Sequence, residues 1–348
     1  MATMKSVRTG AKNDIDVVEV ERPAPGPQDV LVRIRACGIC GTDTFFVRTG
    51  GTPYGIAGSV VPLPLGHEPA GEVVEVGSAI TDLAVGDRVV VNPQAAPSGI
   101  IGCGGELGGM NEYLLVENAV VGTSVAVFPD ELPFGVAALN EPLAVARHCV
   151  NRSEAKPGDK VVVFGAGTIG LATTIWLKLR GVEHVVVADV IPERLETALA
   201  VGADAVINSA EEDVTARLTE LHGEAANALG VPRAGTDIYV DAAGVAAVFN
   251  ATVDAAKWGA KLVMVGVQKP SEAIDLGAML RSELTLIASQ GYPTEIFEVT
   301  AELAEHQDRF ARLISHQVPF AEVTRAFELA LTPGAAEKVI VTFFDDEG

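Results

Sequence analysis

The sequence predicts an α/β protein of two domains, one of them a doubly wound parallel sheet. Three observations lead there. A chain of 348 residues is longer than one hydrophobic core usually covers. Roughly its first 130 residues read as short strands cut by Gly and Pro. From Lys160 the grammar changes to strand, glycine turn, helix, strand.

In the first stretch, Val30, Val32, Ile34 and Ala36 alternate with Arg33 and Arg35, the period of a half-exposed strand. Similar runs follow at Glu72–Val76, Arg88–Val91 and Tyr113–Val116, bounded by segments such as Val85-Gly86-Asp87, and no helix-length periodicity is expected among them. The second stretch gives a strand at Val161–Phe164, a helix from about Thr168 to Arg180, a strand at Val185–Asp189 and a helix from Pro192. Strand-like runs at Ala205–Asn208, Asp237–Asp241 and Lys261–Gly266 continue the alternation, which implies a parallel sheet buried on both faces. It stops after about residue 288. The helices expected at Thr294–His306 and Ala321–Leu331 and the strand at Lys338–Phe343 then return to the first domain.

Composition narrows the function classes. Asp and Glu number 46 against 25 Lys and Arg, a balance of −21 that repels phosphate backbones and anionic lipid, so neither nucleic acid nor membrane is expected as a partner. No apolar run approaches a membrane span, and Met1-Ala2-Thr3-Met4-Lys5-Ser6 lacks a signal-peptide stretch, which sets the expectation of a cytoplasmic protein. The 4 cysteines are too few for a disulfide scaffold. Cys37 and Cys40 make one Cys-x-x-Cys pair, a redox dithiol or half a zinc knuckle, while Cys103 and Cys149 are single.

Gly165-Ala166-Gly167-Thr168-Ile169-Gly170 follows an apolar strand directly and opens a helix, the context in which Gly-x-Gly-x-x-Gly cradles a dinucleotide. The first glycine makes the turn, the second admits the pyrophosphate to backbone amides, and the third lets helix pack on strand. Asp189 ends the next strand, where a carboxylate grips the ribose hydroxyls and repels the extra phosphate of NADP, so NAD is expected. Asp189 also suits a cap for the helix from Pro192, and Arg194 is the nearby cation that would face a phosphate.

Outside this region three patches hold zinc-type donors: Cys40 in Gly38-Ile39-Cys40-Gly41-Thr42-Asp43, His67 with Glu68 after Gly66, and Glu141 in Asn140-Glu141-Pro142-Leu143. Each alone has an ordinary explanation, as a small buried thiol, a loop histidine or a solvated acid.

Together and in this order, with Gly71, Gly77, Gly86-Asp87-Arg88-Val89 and the glycine cradle, they resemble the zinc branch of the medium-chain dehydrogenase/reductase family, in particular its sorbitol and 2,3-butanediol dehydrogenase subgroup. The resemblance implies a GroES-like β-barrel catalytic domain from residues 1–147 and 289–348 and a Rossmann cofactor domain from 148–288. It implies one catalytic zinc per chain held by Cys40 and His67 with Glu68 or Glu141, directly or through water. The cation would ease loss of the hydroxyl proton from an alcohol whose hydride passes to NAD. Thr42 matches the hydroxyl that relays the proton, and Asp43 the acceptor that orients His67. Val265, Val267 and Ser289 match cofactor contacts, and Lys338 a cation that meets the pyrophosphate, against a surface lysine as the ordinary reading. A homodimer or homotetramer through the cofactor domain's sheet edge, with Lys261–Gly266 and Ile274–Leu286 as candidates, also follows from the resemblance.

Three departures qualify it. Phe45 stands where many members carry the later relay histidine, and Gly291, in Ser289-Gln290-Gly291-Tyr292, where linear-polyol enzymes carry Arg. Asn92 to Met110 holds only Cys103, and one thiol cannot close a structural zinc site. With Phe45, Phe46 and Tyr54 as candidate pocket residues, the expected substrate is a less polar secondary alcohol, ketone, diol or cyclic polyol. The competing readings are a zinc-free NADPH-dependent quinone or enoyl reductase and a non-catalytic ligand-binding relative.

Overall fold

Val30–Gly38 runs as one strand through a mostly antiparallel sheet, with Glu68–Val76 and Tyr113–Val116 paired along it and Val339–Thr342 against its C-terminal end. The computed structural model describes residues 2–51, 62–267 and 273–343. The chain divides into two units, Met1–Glu141 with Ile296–Gln307 and Ile314–Gly348, and Pro142–Glu295 with Asp308–Leu313. Among the described residues the first unit's main sheet follows the order His316–Pro319, Val339–Thr342, Val30–Gly38, Glu68–Val76, Arg88–Val91, Val125–Val127. Val32, Ile34, Val73, Val89 and Leu114 form its core. The register sets Gly38 opposite Glu68 on one side and opposite Ile340 on the other, which brings three distant parts of the sequence to one end of the sheet.

In the second unit every strand pair of the sheet is parallel, in the order Ala205–Asn208, His184–Asp189, Lys160–Phe164, Ile238–Asp241, Lys261–Met264, Thr285–Ala288. This is the doubly wound order in which the third, second and first strands precede the fourth, fifth and sixth. The helix Thr168–Leu179 follows Lys160–Phe164 through Gly165, whose φ of +94° is left-handed. A Cβ on Gly170 would overlap the Gly165 carbonyl oxygen, so only glycine lets this helix lie so close to the strand end.

Three expectations are corrected. The first stretch does contain a helix, Gly41–Thr49, which short length and mixed polarity hide from a periodicity search. It is made by its ends: Asp43 at the third position accepts the Cys40 N–H at 2.9 Å, and Gly50 closes the last turn at φ +70°. The late helix spans Glu298–Glu305 rather than starting at Thr294, because Glu295 turns inward to His148 Nδ1 at 2.9 Å and Asn151 Nδ2 at 3.0 Å. Ala321 belongs to a 3-10 turn, Phe320–Glu322, ahead of the helix Val323–Leu331.

The helix Val214–His222 ends in a buried histidine whose Nδ1 lies 2.8 Å from Thr236 Oγ1 and whose ring meets His184 edge-on. Burial, then His184 and Lys160, depress its pKa to about 4, with Asp237 opposing and Lys257 adding to the shift. Below its ordinary value of about 6.5 the unfolded chain takes up a proton that the folded His222 refuses, so stability present above pH 6.5 is lost as pH falls towards 4. The melting temperature of His222→Gln should therefore decline less than wild type between pH 6.5 and 4, by about 2 to 5 °C. Parallel declines would remove His222 as the source.

Candidate metal and active site

Cys40 lies two residues past the strand Val30–Gly38 and caps the helix Gly41–Thr49 with an extended backbone, φ −92° and ψ 158°. His67 sits in the turn before Glu68–Val76. Asp43, fully buried, joins the two: Oδ2 accepts the Cys40 N–H, and Oδ1 accepts the Gly66 N–H at 3.0 Å. Potential ligand atoms of Cys40, His67 and Glu68 come within 4.8 Å of one another. A sulfur, an imidazole and a carboxylate at this spacing suit zinc. Burial alone would lower the His67 pKa, yet the surrounding Cys103, Asp43 and Cys40 raise it well above the histidine range, so the locality favours a cation.

Lys338 has a partner other than a phosphate or solvent. It is buried, and its ammonium donates to Glu68 Oε1 at 2.7 Å, Glu68 Oε2 at 2.6 Å and the Ile39 carbonyl at 3.1 Å. Its three N–H groups have three acceptors, so a pyrophosphate contact would require this arrangement to open. Burial opposes the charge, but Glu68 and Cys40 hold the Lys338 pKa above its usual value. Gly38 is required here, since a Cβ would overlap Glu68 Oε2. Glu141 opens the helix Asn140–Ser153; its charge also raises Lys338, but it is outside the Cys40, His67, Glu68 group.

Around this group, Thr42 is half-buried in the first turn after Cys40. Phe46 is a core residue and Phe45 is half-buried against that core; Tyr54 is outside the described residues. The four cysteines are free, and Cys37 lies in the core, where burial pushes its thiol far up, so the Cys-x-x-Cys pair is not a reactive dithiol. One contact had no sequence signal: Cys103 Sγ lies 3.4 Å from His67 Nδ1, nearer than Asp43 Oδ1 at 3.7 Å. A single cysteine in a glycine-rich loop has no spacing to mark it.

In the second unit, Gly165, Gly167, Thr168, Ile169 and Gly170 form the turn and first residues of the helix Thr168–Leu179. A Cβ on Gly167 would meet nothing within 4 Å, leaving open space before the helix N-terminus, the condition for an anion to reach it. Asp189 Oδ2 accepts the Ala166 N–H at 2.6 Å, and Oδ1 accepts the Val190 and Ile191 N–H groups at 2.7 and 2.9 Å. The acid is thus fixed to the glycine turn and caps the next segment. Ser289 Oγ is buried without a protein partner. Val265 is half-buried beyond the strand Lys261–Met264, Val267 is exposed and Arg194 is half-buried.

Residues 26–125 match the alcohol dehydrogenase GroES-like domain and residues 168–306 the zinc-binding dehydrogenase domain. The (R,R)-butanediol dehydrogenase of Bacillus subtilis is 31% identical over 86% of this chain and 88% of its own. The chain belongs to the zinc-dependent alcohol dehydrogenase family. A crystal structure of 2R,3R-butanediol dehydrogenase from Bacillus subtilis has a TM-score of 0.84 at 28% identity, covering 97% of this chain and 99% of that one. The sorbitol dehydrogenase of Gallus gallus is 30% identical over 88% and 87%. A zinc-binding dehydrogenase from Sinorhizobium meliloti, solved with NADP, has a TM-score of 0.82 at 30% identity, covering 98% and 100%. The fold is therefore a GroES-like domain with a Rossmann-type domain, and the chain is an alcohol or polyol dehydrogenase using zinc and NAD rather than a zinc-free reductase.

Removing one member of a buried ion pair leaves an uncompensated charge, so Lys338→Met should cost about 3–5 kcal/mol in urea unfolding. Adding Glu68→Gln should recover most of it. A loss under about 1 kcal/mol for Lys338→Met would show that Glu68 finds other partners.

Proposed function

We propose that this dehydrogenase oxidises secondary alcohols, including vicinal diols and cyclic polyols, to ketones with reduction of NAD. The observation that carries the reading is the grouping of Cys40, His67 and Glu68 within 4.8 Å. These three residues hold the zinc in this proposal, and Glu141 supports from outside the group. The bound zinc would supply Lewis-acid stabilisation of the negative charge that develops on the alcohol oxygen. Thr42 Oγ1 relays the hydroxyl proton, accepting it as its own hydrogen passes onward along the proton path, helped by its place two residues after Cys40. Gly291 in place of an arginine removes a donor for extended polyols, and the names of the butanediol and sorbitol dehydrogenases favour the diol and polyol range.

The first unit serves as catalytic domain and the second as NAD domain. Gly165, Gly167, Thr168, Ile169 and Gly170 bind the pyrophosphate, with Val265, Val267, Arg194 and Ser289 as further cofactor contacts. Asp189 takes the ribose hydroxyls: its Oδ2 accepts one N–H and retains a lone pair for a hydroxyl, while its charge repels a 2′-phosphate. Free thiols at Cys40 and Cys103 suit the reducing cytoplasm.

Metal analysis with an alcohol scan, run with NAD and NADP in parallel, tests the reading. The expected result is about one zinc per chain, chelator-sensitive oxidation of secondary alcohols or diols, at least tenfold preference for NAD, and a fall of at least a hundredfold in kcat for His67→Ala. Full activity without zinc would overturn it.

Self-association through the second unit's sheet edge is the accompanying proposal. Thr285–Ala288 is one of the two outer strands of that sheet, and on the preceding helix Leu276 and Leu280 are 71% and 76% exposed. Light scattering should give a dimer or tetramer that Leu280→Asp shifts towards monomer. A monomeric wild type would exclude it.

A further inference from the structure

Between Pro93 and Met110 the chain carries Gly99, Gly102, Gly104, Gly105, Gly108 and Gly109 and folds back on itself. Ile101 N–H donates to the Pro93 carbonyl at 3.0 Å, Gly102 to Leu107 at 2.8 Å, and Cys103 and Gly105 to Ile100 at 3.0 and 3.1 Å. Two further bonds fasten the loop to the turn that bears the metal ligand: Gly109 N–H to the Gly66 carbonyl at 2.7 Å and Met110 N–H to Leu65 at 2.9 Å. Gly102 has a φ of +66°, and a Cβ there would overlap the Gly66 carbonyl oxygen. The backbone next to Cys103 thus approaches as closely as glycine permits, and Ile101 is buried on the other side.

This approach sets Cys103 Sγ 3.4 Å from His67 Nδ1. Asp43 Oδ1, at 3.7 Å from the same nitrogen, exceeds an ordinary N–H···O bond and already accepts the Gly66 N–H. Resting on the reading that Cys40, His67 and Glu68 hold zinc, we propose that Cys103 is a positioning residue: its sulfur accepts the His67 Nδ1–H and leaves Nε2, with its lone pair, for the metal. A metal-bound histidine is normally fixed through its second nitrogen in this way, and loss of that partner weakens metal binding roughly tenfold or more. Cys103 is not itself in the ligand group.

Two substitutions separate acceptor from filler. Cys103→Val fills similar space without an acceptor, and Cys103→Ser keeps an acceptor. With the full-length zinc protein, release of zinc to a chromogenic chelator should be about tenfold faster for Cys103→Val and within threefold of wild type for Cys103→Ser. In cobalt-substituted protein the visible ligand-field bands should shift for Cys103→Val and return with Cys103→Ser. Cys103→Ala serves as second acceptor-free variant if the valine protein does not fold. Release within twofold of wild type and unmoved cobalt bands in an acceptor-free variant would overturn the proposal, as would equal losses for serine and valine. Wild-type zinc content, measured on the same samples, reports separately on the ligand set: failure to take up zinc at all defeats that reading, whereas a zinc-loaded wild type with indifferent variants defeats only the role of Cys103.

Discussion

One buried carboxylate joins the two turns that bear Cys40 and His67. Asp43 accepts the Cys40 N–H with one oxygen and the Gly66 N–H with the other. A charge taken out of water is costly unless hydrogen-bonded, and backbone amides from two separate turns meet that need here. The same bonds close the first turn of Gly41–Thr49 and hold the turns of Cys40 and His67 together. Helix, ligand spacing and charge satisfaction are consequences of one side chain.

Glu68 is positioned by a second constraint, the pairing of strands. Register sets it beside Gly38, the missing Cβ makes room for its carboxylate, and Lys338 approaches from the segment leading into Val339–Thr342. A buried pair of this kind repays its desolvation poorly and is weak evidence for stability. What it supplies is geometry: an ammonium with all three hydrogens engaged holds both carboxylate oxygens in one orientation within the donor group. That fixed orientation is worth more to a metal site than the net energy of the pair.

The strands and the glycine cradle were legible because they depend on local rules: alternation for Val30–Gly38, an apolar run followed by glycines for Lys160–Phe164 and Gly165. Cys40, His67 and Glu68 are legible as residue types in a familiar order, and the resemblance, rather than any local rule, implies that they meet. The helix Gly41–Thr49 was missed because its end contacts, rather than an apolar stripe, define it. Nothing near Lys338 in the sequence signals its partner Glu68, which lies 270 residues away. Nothing in the sequence surroundings of Cys103 indicates His67, 36 residues away. Long-range pairing separates Lys338 and Cys103 from the successes, whereas the helix depends on contacts at its own ends.

The glycine-rich loop Asn92 to Met110 connects these points. Asn92 to Met110 draws its order from backbone hydrogen bonds of about 1 kcal/mol each, from the buried Ile101 and Met110 and from Ser98 on Glu117, against the large ordering entropy of glycine. Two of those bonds end on Leu65 and Gly66, the residues before His67. Loosening of the loop therefore releases the turn that carries His67, which is held by the loop on one side and by Asp43 on the other. The order of this loop and the geometry of the turn before His67 are thereby a single cooperative property.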